Sequence, residues 1–488
     1  MAVAKKRHEL YEELGSIVGA KYVSDDHGVL LSYTRDVSTM PPAKPQGVVV
    51  RPSSVEEVVQ LVRLANQTCT PLIPMGGKAS ISGVPPGQPG RGIIVDMKRM
   101  DKVIEIDEVN MTATAQAGIT WGELAGKVNA MGFDVHTAGT PHYADTIGGH
   151  ISGEPGAGFG GYGFSVGWNW HYLLGMKVVL PNGSVVDTGT GEGSLNSYRG
   201  NTFARAMHGP DMTGMFTGDG GIFGIKVEAT YRMFHLPKFR KGGVRCWDSL
   251  DEAYKAYYEL WEVDPFLYMQ PYANGMLLSP EFVRILAPGN EPAWVLFWFS
   301  IGNSEEEVEL KHKTTDAVCA RHGGKVPDGE LFAFFTQADH FTSFTHEMSK
   351  WATMGMFPLF ELIVSRRDIL ETLKWSREYL FDSLKERGID PTRLPIISGL
   401  LSAGTGNGMT TTEPFVDQSD KEFNNVVHEI WLEFLEQARR RGYVVEATQG
   451  HESRLLAKSW TPEFYNYVLS LKKFLDPNNI MNPGVFFA

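Results

Sequence analysis

Cysteine is scarce in this chain, and its scarcity excludes several kinds of site. Only three cysteines occur among the 488 residues, Cys69, Cys246 and Cys319, and they lie far apart in the sequence. Such spacing builds neither an iron–sulfur cluster nor a zinc knuckle, and it argues against a disulfide framework. Free thiols suit a reducing compartment, so we expect a cytoplasmic protein.

Long apolar runs and excess positive charge are also lacking. The N-terminal residues are polar, without the apolar stretch of a signal peptide. The strongest apolar run, around Trp294–Phe299, is too short to span a membrane. Because 45 Lys and Arg oppose 57 Asp and Glu, the net charge of −12 disfavours nucleic acid as a partner. We therefore expect a soluble chain of two or three lobes.

Glycine, in contrast, is abundant and unevenly placed. The chain has 53 glycines, and they crowd between Gly139 and Gly224 without a repeating period. The absence of a period argues against collagen or a linker, and the crowding indicates a backbone that approaches something closely.

Two glycine-rich segments stand where a ligand is expected. The segment Gly76–Gly83 follows a predicted strand, a helix capped by Ser53 or Ser54 and a second strand at residues 71–74. Its glycines and serines, with no acidic residue, form either an anion-binding turn or an ordinary connection between elements. The second segment, residues 139–153, predicts a chain that lies flat against a planar or charged ligand.

These segments belong to an ordered series of blocks that resembles a known family. The blocks are Arg51–Val58, Pro74–Gly83, Ile94–Met100, Thr146–Gly149, Leu174–Gly183, Gly218–Ile225, Leu475–Pro477 and Asn482–Gly484. Together they resemble the PCMH-type FAD-binding domain of the vanillyl-alcohol oxidase superfamily, and most of all its D-lactate dehydrogenase and glycolate oxidase branch. The resemblance implies an α+β protein with a two-subdomain FAD-binding domain and an α+β substrate (cap) domain that has an antiparallel sheet.

The resemblance also implies domain limits and cofactor ligands. The domains would be a lead-in (1–40), the FAD-binding domain (41–237), the cap domain (238–445) and a C-terminal return segment (446–488). The pyrophosphate would contact Pro74, Gly76, Gly77, Lys78, Ala79, Ser80, Ser82 and Gly83, and the ribityl chain and ring would contact Gly139, Thr146, Gly148, Gly149, Ser152, Tyr162 and Gly163. The adenine end would contact Ile222, Gly224 and Ile225, and Asn482 would reach back to the flavin; Ile222 and Asn482 are alternatively scaffold.

The flavin linkage and the metal motif of the family both differ here. Lys78 stands where some relatives attach FAD through a histidine, and no cysteine lies near Gly149, so we predict non-covalent FAD. The branch's metal-supporting motif falls on residues 402–409, where Ser402 and Met409 replace its two histidines and Thr405 its aspartate. A later glutamate-histidine-glycine motif corresponds to residues 448–450, which carry neither acid nor histidine. We therefore predict no catalytic metal.

Alcohol oxidation by a flavin needs a base for the hydroxyl proton. His451 is the first candidate, His142 and His150 compete with it, and Tyr172 or Arg454 would hold a phenolate or carboxylate. Each of these residues is alternatively structural.

The predicted protein is an FAD-dependent dehydrogenase or oxidase of CH–OH groups. Its cap region is rich in Phe, Trp and Met, which favours a relatively apolar or aromatic alcohol or hydroxyacid as the small-molecule substrate. The alternatives are an oxidase of para-substituted phenols and benzylic alcohols, or a flavin electron-transfer subunit of a larger complex. Because the cysteines form no cluster, electrons would leave to an external acceptor: oxygen, an electron-transfer flavoprotein or an iron–sulfur subunit. The formation of an oligomer is neither predicted nor excluded by these features.

Overall fold

Three β-sheets organise the described part of the chain in the computed structural model. The structure describes residues 8–36, 42–79, 84–85, 87–135, 143–153, 172–195, 200–206, 209–263, 275–281, 283, 293–327, 329–336, 360–394, 396–403, 407–417, 419–445 and 452–487. Within these residues, no helix is long and apolar enough to cross a membrane.

The first sheet has the strand order β1-β2-β4-β3. Its strands are β1 (Val23–Ser24), β2 (Val48–Val50), β3 (Leu72–Met75) and β4 (Ile93–Asp96), and its helices are α1 (Tyr11–Val18), α2 (His27–Leu31) and α3 (Val55–Thr68). The Ser54 hydroxyl accepts from the Glu57 N–H at the start of α3. The apolar side of α3, which consists of Val58, Leu61, Val62 and Ala65, is buried. The capped helix inferred from the sequence is therefore present.

The strands β2 and β3 do not pair with each other. Both run parallel to β4, which lies between them. The strand-helix-strand unit is thus completed by a third strand that comes after the glycine loop. Local periodicity does not reveal this order, because the strand that separates two others is set by pairing across the sheet.

The second sheet is antiparallel and follows the order β5-β6-β10-β8-β9, with β7 paired to β10. Its strands are β5 (Val103–Asp107), β6 (Thr112–Gln116), β7 (Phe133–Val135), β8 (Leu173–Val179), β9 (Val185–Asp187) and β10 (Ile225–His235). Helices α4 (Trp121–Asn129), α5 (Ile147–Gly153) and α6 (Met212–Met215) accompany it. A capping box between Thr120 and Glu123 begins α4.

The third sheet is antiparallel and has the order β11-β13-β12-β15-β16-β14-β17. Its strands are β11 (Phe239–Trp247), β12 (Gly275–Leu278), β13 (Trp294–Gly302), β14 (Leu362–Ser365), β15 (Ile396–Ala403), β16 (Asn407–Pro414) and β17 (Val444–Val445). Helices α7 (Leu250–Val263), α8 (Glu305–Arg321), α9 (Gly329–Thr336), α10 (Ile369–Glu386) and α11 (Lys421–Arg440) belong to this region. The predicted α+β class, with an antiparallel sheet in the second half, is confirmed.

The C-terminal segment returns to the first sheet. Helices α12 (Glu452–Ala457) and α13 (Pro462–Leu475) precede it. The Leu72 N–H donates to the Ile480 carbonyl at 2.7 Å, and the Asn482 N–H donates to the Leu72 carbonyl at 2.9 Å. These bonds place Met481 beside β3 in a parallel bridge. The end of the chain is thereby fixed next to the strand that leads into the first glycine loop.

A buried carboxyl group in β7 makes the stability of this fold depend on pH. Asp134 is 4% exposed. Burial raises its pKa to about 7, against the opposing effect of the Val135 N–H. Because the folded chain retains a proton that the unfolded chain releases near pH 4, stability decreases as the pH rises towards 7.

We expect Asp134→Asn to remove this dependence. Asp134→Asn should be more stable relative to the wild type at pH 8 than at pH 5. The difference in unfolding free energy between the two proteins should be larger at pH 8 by up to about 3 kcal/mol. Thermal denaturation at the two pH values measures it, with Asp101→Asn at an exposed position as the control. An equal gain at both pH values would show that the Asp134 carboxyl does not titrate in this range.

Candidate functional site

The two glycine segments singled out in the sequence meet in the structure. A Cβ atom on Gly76 would lie 2.0 Å from the Thr146 hydroxyl oxygen, and one on Gly77 would lie 1.6 Å from the Ala144 carbonyl oxygen. Only glycine allows such contacts, so the loop after β3 lies directly against the residues that begin α5. Pro74 lies half-buried within β3, and Ala79 is the last described residue of the loop.

Residues 147–153 of the second segment form the short helix α5, whereas residues 139–142 lie outside the described residues. The Thr146 hydroxyl accepts from the Gly149 N–H at 3.3 Å, and the Ser152 hydroxyl donates to the Gly148 carbonyl at 2.9 Å. The Gly148 N–H donates to the Ala117 carbonyl, and a Cβ there would lie 2.8 Å from the Ala117 side chain. Close packing against the β6–α4 connection explains the glycine at 148.

The block near Gly224 adjoins the end of α5. The N–H groups of Gly218 and Gly220 donate to the carbonyls of Ile151 and Ser152 at 2.8 Å each. A Cβ on Gly224 would lie 2.7 Å from the Val179 carbonyl oxygen. Ile222 and Ile225 are each 1% exposed and belong to the hydrophobic cores of the second and first sheets. This burial favours a scaffold role for both side chains, and the predicted contacts with the adenine end would then fall to their backbones.

A buried ion-pair network joins this block to the end of the chain. The Lys472 ammonium group donates to the carbonyls of Ile222 (3.1 Å) and Met481 (2.7 Å), and it pairs with Asp476. Nearby, Lys226 pairs with Asp219, and both side chains are almost fully buried. Burial lowers the pKa of each lysine, while the neighbouring carboxylate opposes this effect. The network holds the terminal segment over the Gly218–Gly224 block.

Asn482 is oriented by this network and retains one free acceptor. Its side-chain N–H donates to the Gly220 carbonyl at 2.7 Å. Its Oδ1 atom is buried and has no hydrogen-bond partner among the residues that the structure describes. An unsatisfied buried acceptor is costly, and a ligand donor would satisfy it. The backbone of Asn482 has a φ of 46°, a left-handed conformation that favours Asn and Gly.

Lys78 directs its side chain away from the neighbouring glycines. The ammonium group donates to the Ser32 carbonyl and lies 4.6 Å from the centroid of the Tyr33 ring. Burial is the main cause that lowers the pKa of Lys78. The pyrophosphate contact predicted for Lys78 therefore rests on its backbone N–H alone, since its charge contacts the N-terminal segment.

Two predicted catalytic residues lie in the core instead of in an open site. His150 is 3% exposed; its Nδ1 atom lies 3.1 Å from Asp145 Oδ2, and its ring centroid lies 5.8 Å from that of Trp121. Tyr172 is 4% exposed, and burial raises the pKa of its phenol. Both side chains pack within the second sheet's core, which favours the structural alternative for them.

Among the remaining predicted site residues, the structure describes Arg454 but not the others. The Arg454 Nε–H donates to the Gly484 carbonyl at 2.7 Å, so the guanidinium group holds the terminal segment. Several predicted site residues lie outside the described residues: Ser80, Ser82, Gly83, Gly139, His142, Tyr162, Gly163 and His451. Their roles stay predictions.

Sequence reasoning missed two groups of buried polar residues. The first is the network of Asp219, Lys226, Lys472 and Asp476; the i, i+4 spacing of the last two is visible in the sequence, but their burial is not. The second is Glu361, Thr411 and Glu413 in the third sheet, with exposures of 5%, 0% and 3%. In the sequence, this second group is visible only as one glutamate beside a strand and another at the end of a threonine-rich strand.

Comparison with protein families defines the class of this protein. A family described as FAD binding domain matches residues 46–189, and one described as FAD linked oxidases, C-terminal domain, matches residues 287–486. The chain therefore belongs to the FAD-linked oxidases. It is an FAD-dependent oxidoreductase.

Two distant relatives match nearly the whole chain. The glycolate oxidase subunit GlcD of Bacillus subtilis (strain 168) is 23% identical over 98% of this chain and 97% of its own length. A D-2-hydroxyglutarate dehydrogenase of Stutzerimonas stutzeri (strain A1501) is 25% identical over 98% and 99%. Among solved structures, p-cresol methylhydroxylase with substrate bound (TM-score 0.76, 18% identity, 98% and 96% coverage) and 4-ethylphenol oxidase from Gulosibacter chungangensis (TM-score 0.78, 16% identity, 98% and 96% coverage) share the fold.

The residues described above fit FAD. The loop at Gly76 and Gly77 lacks side chains where it meets the start of α5, and Asn482 holds a buried acceptor beside the Gly218–Gly224 block. Backbone N–H groups of such a loop suit a pyrophosphate, and an amide oxygen suits an N–H or hydroxyl of the flavin nucleotide.

We expect Asn482→Gly to weaken FAD binding. Glycine keeps the left-handed backbone but removes the Oδ1 acceptor and the bond to Gly220, so the dissociation constant should increase roughly five- to hundredfold. Fluorescence of the FAD released on dilution measures it.

Asn479→Gly is the matched control, because Asn479 has a φ of 48° and an exposed side chain in the same segment. Its FAD affinity should equal that of the wild type. Equal affinities for Asn482→Gly and the wild type would remove Asn482 from the cofactor site.

Proposed function

We propose that this enzyme removes hydride from the hydroxyl-bearing carbon of a relatively apolar or aromatic alcohol or hydroxyacid, without a catalytic metal. The relatives named glycolate oxidase and D-2-hydroxyglutarate dehydrogenase support the oxidation of a CH–OH group. The aromatic side chains of the cap region and the lost metal motif support the finer statement.

The central observation is the arrangement of the two positions where the resembled branch has histidines. Ser402 in β15 is the register partner of Met409 in β16, next to a bulge between Leu400 and Ser402. The two positions thus face each other across one strand pair, as a shared ligand site would require. Met409 is fully buried, and a thioether with a hydroxyl is a poor pair of ligands for a divalent ion that histidines would hold.

We propose His451 as the base because of its place in the sequence, and the described residues that follow it carry this argument. His451 immediately precedes α12, and this helix is tied to the terminal segment at two points. The Phe486 N–H donates to the Ser453 hydroxyl at 3.1 Å, and Arg454 contacts the Gly484 carbonyl. Asn482, the predicted flavin ligand, begins the same terminal segment. The position of His451 in the chain therefore suits a base near the cofactor, whereas His150 is buried beside Asp145.

The chemistry that these residues would support is an oxidation with separate paths for proton and hydride. The base accepts the proton of the substrate hydroxyl, so that the alkoxide can expel hydride from its carbon. Bound FAD supplies the acceptor of that hydride. The apolar cap side chains would exclude water from the reacting carbon.

Electrons would then leave to an acceptor outside the chain. The three cysteines are distant from one another in the sequence, and one relative is named as a subunit of glycolate oxidase. Oxygen, an electron-transfer flavoprotein or an iron–sulfur subunit each fit this requirement. A cytoplasmic location and non-covalent FAD belong to the same proposal.

A second candidate function is the oxidation of para-substituted phenols. The similarity in fold to p-cresol methylhydroxylase and to 4-ethylphenol oxidase favours including phenols among the substrates tested. A third candidate, an electron-transfer subunit, has less support because the third sheet and its helices form a large region available for a substrate site.

Anaerobic reduction of the holoenzyme tests these candidates. A panel of benzylic and aliphatic alcohols, 2-hydroxyacids and 4-alkylphenols is added, and loss of the oxidised flavin absorbance is followed with and without EDTA. We expect the fastest reduction by an apolar alcohol, unchanged by EDTA, and a decrease in rate of about 10²-fold or more for His451→Gln.

Three results would contradict the proposal. Reduction by lactate or glycolate only when a divalent metal is present would restore the metal-assisted mechanism. Fastest reduction by 4-alkylphenols would establish the second candidate. No reduction by any small molecule, with rapid reduction by a partner flavoprotein, would establish the electron-transfer role.

A further inference from the structure

A segment near the N-terminus covers one face of the first sheet. Helix α2 and the residues after it contribute Leu30 and Tyr33 to a core cluster of their own. The other buried members of this cluster come from the sheet: Val49, Ile73, Met75 and Ile94. The apolar side of α3 belongs to a different cluster, with the strand residues that alternate with these. The segment and α3 therefore lie on opposite faces of the sheet.

The side chain of Tyr33 is fixed at the end of β4. Its hydroxyl donates to Asp96 Oδ2 at 2.7 Å, and both residues are buried. Burial and the Asp96 carboxylate raise the pKa of Tyr33, so the phenol keeps the proton that it donates. Asp96 is the register partner of Met75, the residue before Gly76. The Tyr33 ring is thereby fixed close to the start of the first glycine loop.

Lys78 is the residue of this loop that Tyr33 contacts. The ammonium group lies 4.6 Å from the centroid of the Tyr33 ring and donates to the Ser32 carbonyl. An ammonium group over an aromatic face is attracted to it, and more strongly when both are partly desolvated. The backbone of Lys78 has a φ of 58°, a left-handed conformation that is uncommon for lysine. The two side-chain contacts offset the cost of this conformation.

The conformation of Lys78 matters because the loop before it is immobilised by packing. Gly76 and Gly77 lie against Thr146 and Ala144 with no room for a Cβ atom. A different φ at Lys78 would therefore leave these contacts in place but turn the rest of the loop away. The N–H groups that suit a pyrophosphate belong to this loop, so their direction depends on Lys78.

We propose that Tyr33 is a positioning residue for FAD: it holds the side chain of Lys78 and so keeps the first glycine loop in the conformation that binds the pyrophosphate. Lys78 then supports the cofactor through its backbone and not through its charge. Part of the predicted lead-in (1–40) belongs to the cofactor site in consequence. This inference rests on the predicted pyrophosphate contact of the loop and is independent of the substrate.

The first test measures the FAD dissociation constant through the fluorescence of FAD released on dilution of the holoenzyme. Tyr33→Leu should raise this constant about tenfold, because the ammonium group loses its aromatic partner. Tyr22→Leu is the matched control. The Tyr22 ring is also partly buried against the first sheet and lies 3.3 Å from the Arg99 guanidinium carbon, but Arg99 is outside the loop. Its affinity should equal that of the wild type.

The sign of the effect separates positioning from a direct charge contact. If the Lys78 ammonium group bound the pyrophosphate in the holoenzyme, Tyr33→Leu would release it, and FAD would bind more tightly. Equal or tighter binding of FAD by Tyr33→Leu would therefore overturn the proposal. So would an equal loss of affinity in Tyr22→Leu, because the effect would then be general to the sheet.

The second test uses Lys78→Met, which keeps an unbranched side chain but removes the charge at a half-buried position. The FAD dissociation constant should again rise about tenfold, and Tyr33→Leu combined with Lys78→Met should bind FAD no more weakly than either single variant. Two residues that act through one contact are not additive. Effects that multiply to about hundredfold would overturn the proposal.

Lys78→Met also decides the question if Tyr33→Leu fails to fold, as the melting temperature of the FAD-free protein would reveal. A partly buried contact is screened weakly by salt, so the loss of affinity in Lys78→Met should be the same at low and high ionic strength. A loss that disappears at high ionic strength would assign the ammonium group to the phosphates and overturn the proposal. Wild-type affinity in Lys78→Met would overturn it as well.

Discussion

The closure of the C-terminal segment on the FAD-binding region is the constraint on which the candidate site depends. The buried ammonium group of Lys472 binds Asp476 and the carbonyls of Ile222 and Met481, so one side chain holds three parts of the chain together. A buried charge is tolerated only when such partners surround it. This network orients Asn482 towards Gly220 and leaves its Oδ1 atom available. Without this network, the terminal segment would not be held against the cofactor region.

Close approach of backbone segments is the second constraint on this structure. Gly76, Gly77 and Gly148 lie where any side chain would collide with Thr146, Ala144 or Ala117. These glycines therefore serve the packing of the protein on itself as much as the approach of FAD. The glycine-rich composition reflects both demands, because a loop that packs tightly against a helix start also presents its N–H groups at a defined place.

The cap region retains the positions of the branch's metal motif but carries other residues there. Ser402 and Met409 are register partners at the two positions that the resemblance assigns to the branch's histidines, and neither side chain suits the ion that histidines would hold. The fold therefore does not by itself fix the substrate, in keeping with the general separation of fold and function.

Local sequence patterns determined the elements and the cofactor. The capped helix α3 and its buried face, the helix α13 and the ordered glycine blocks are short-range features, and the sequence displays them directly. The tertiary structure alone decided that β4 separates β2 from β3, that Lys78 contacts Tyr33 and that His150 is buried. Strand order, register and side-chain direction arise from contacts between residues far apart in the chain, and no local pattern encodes them.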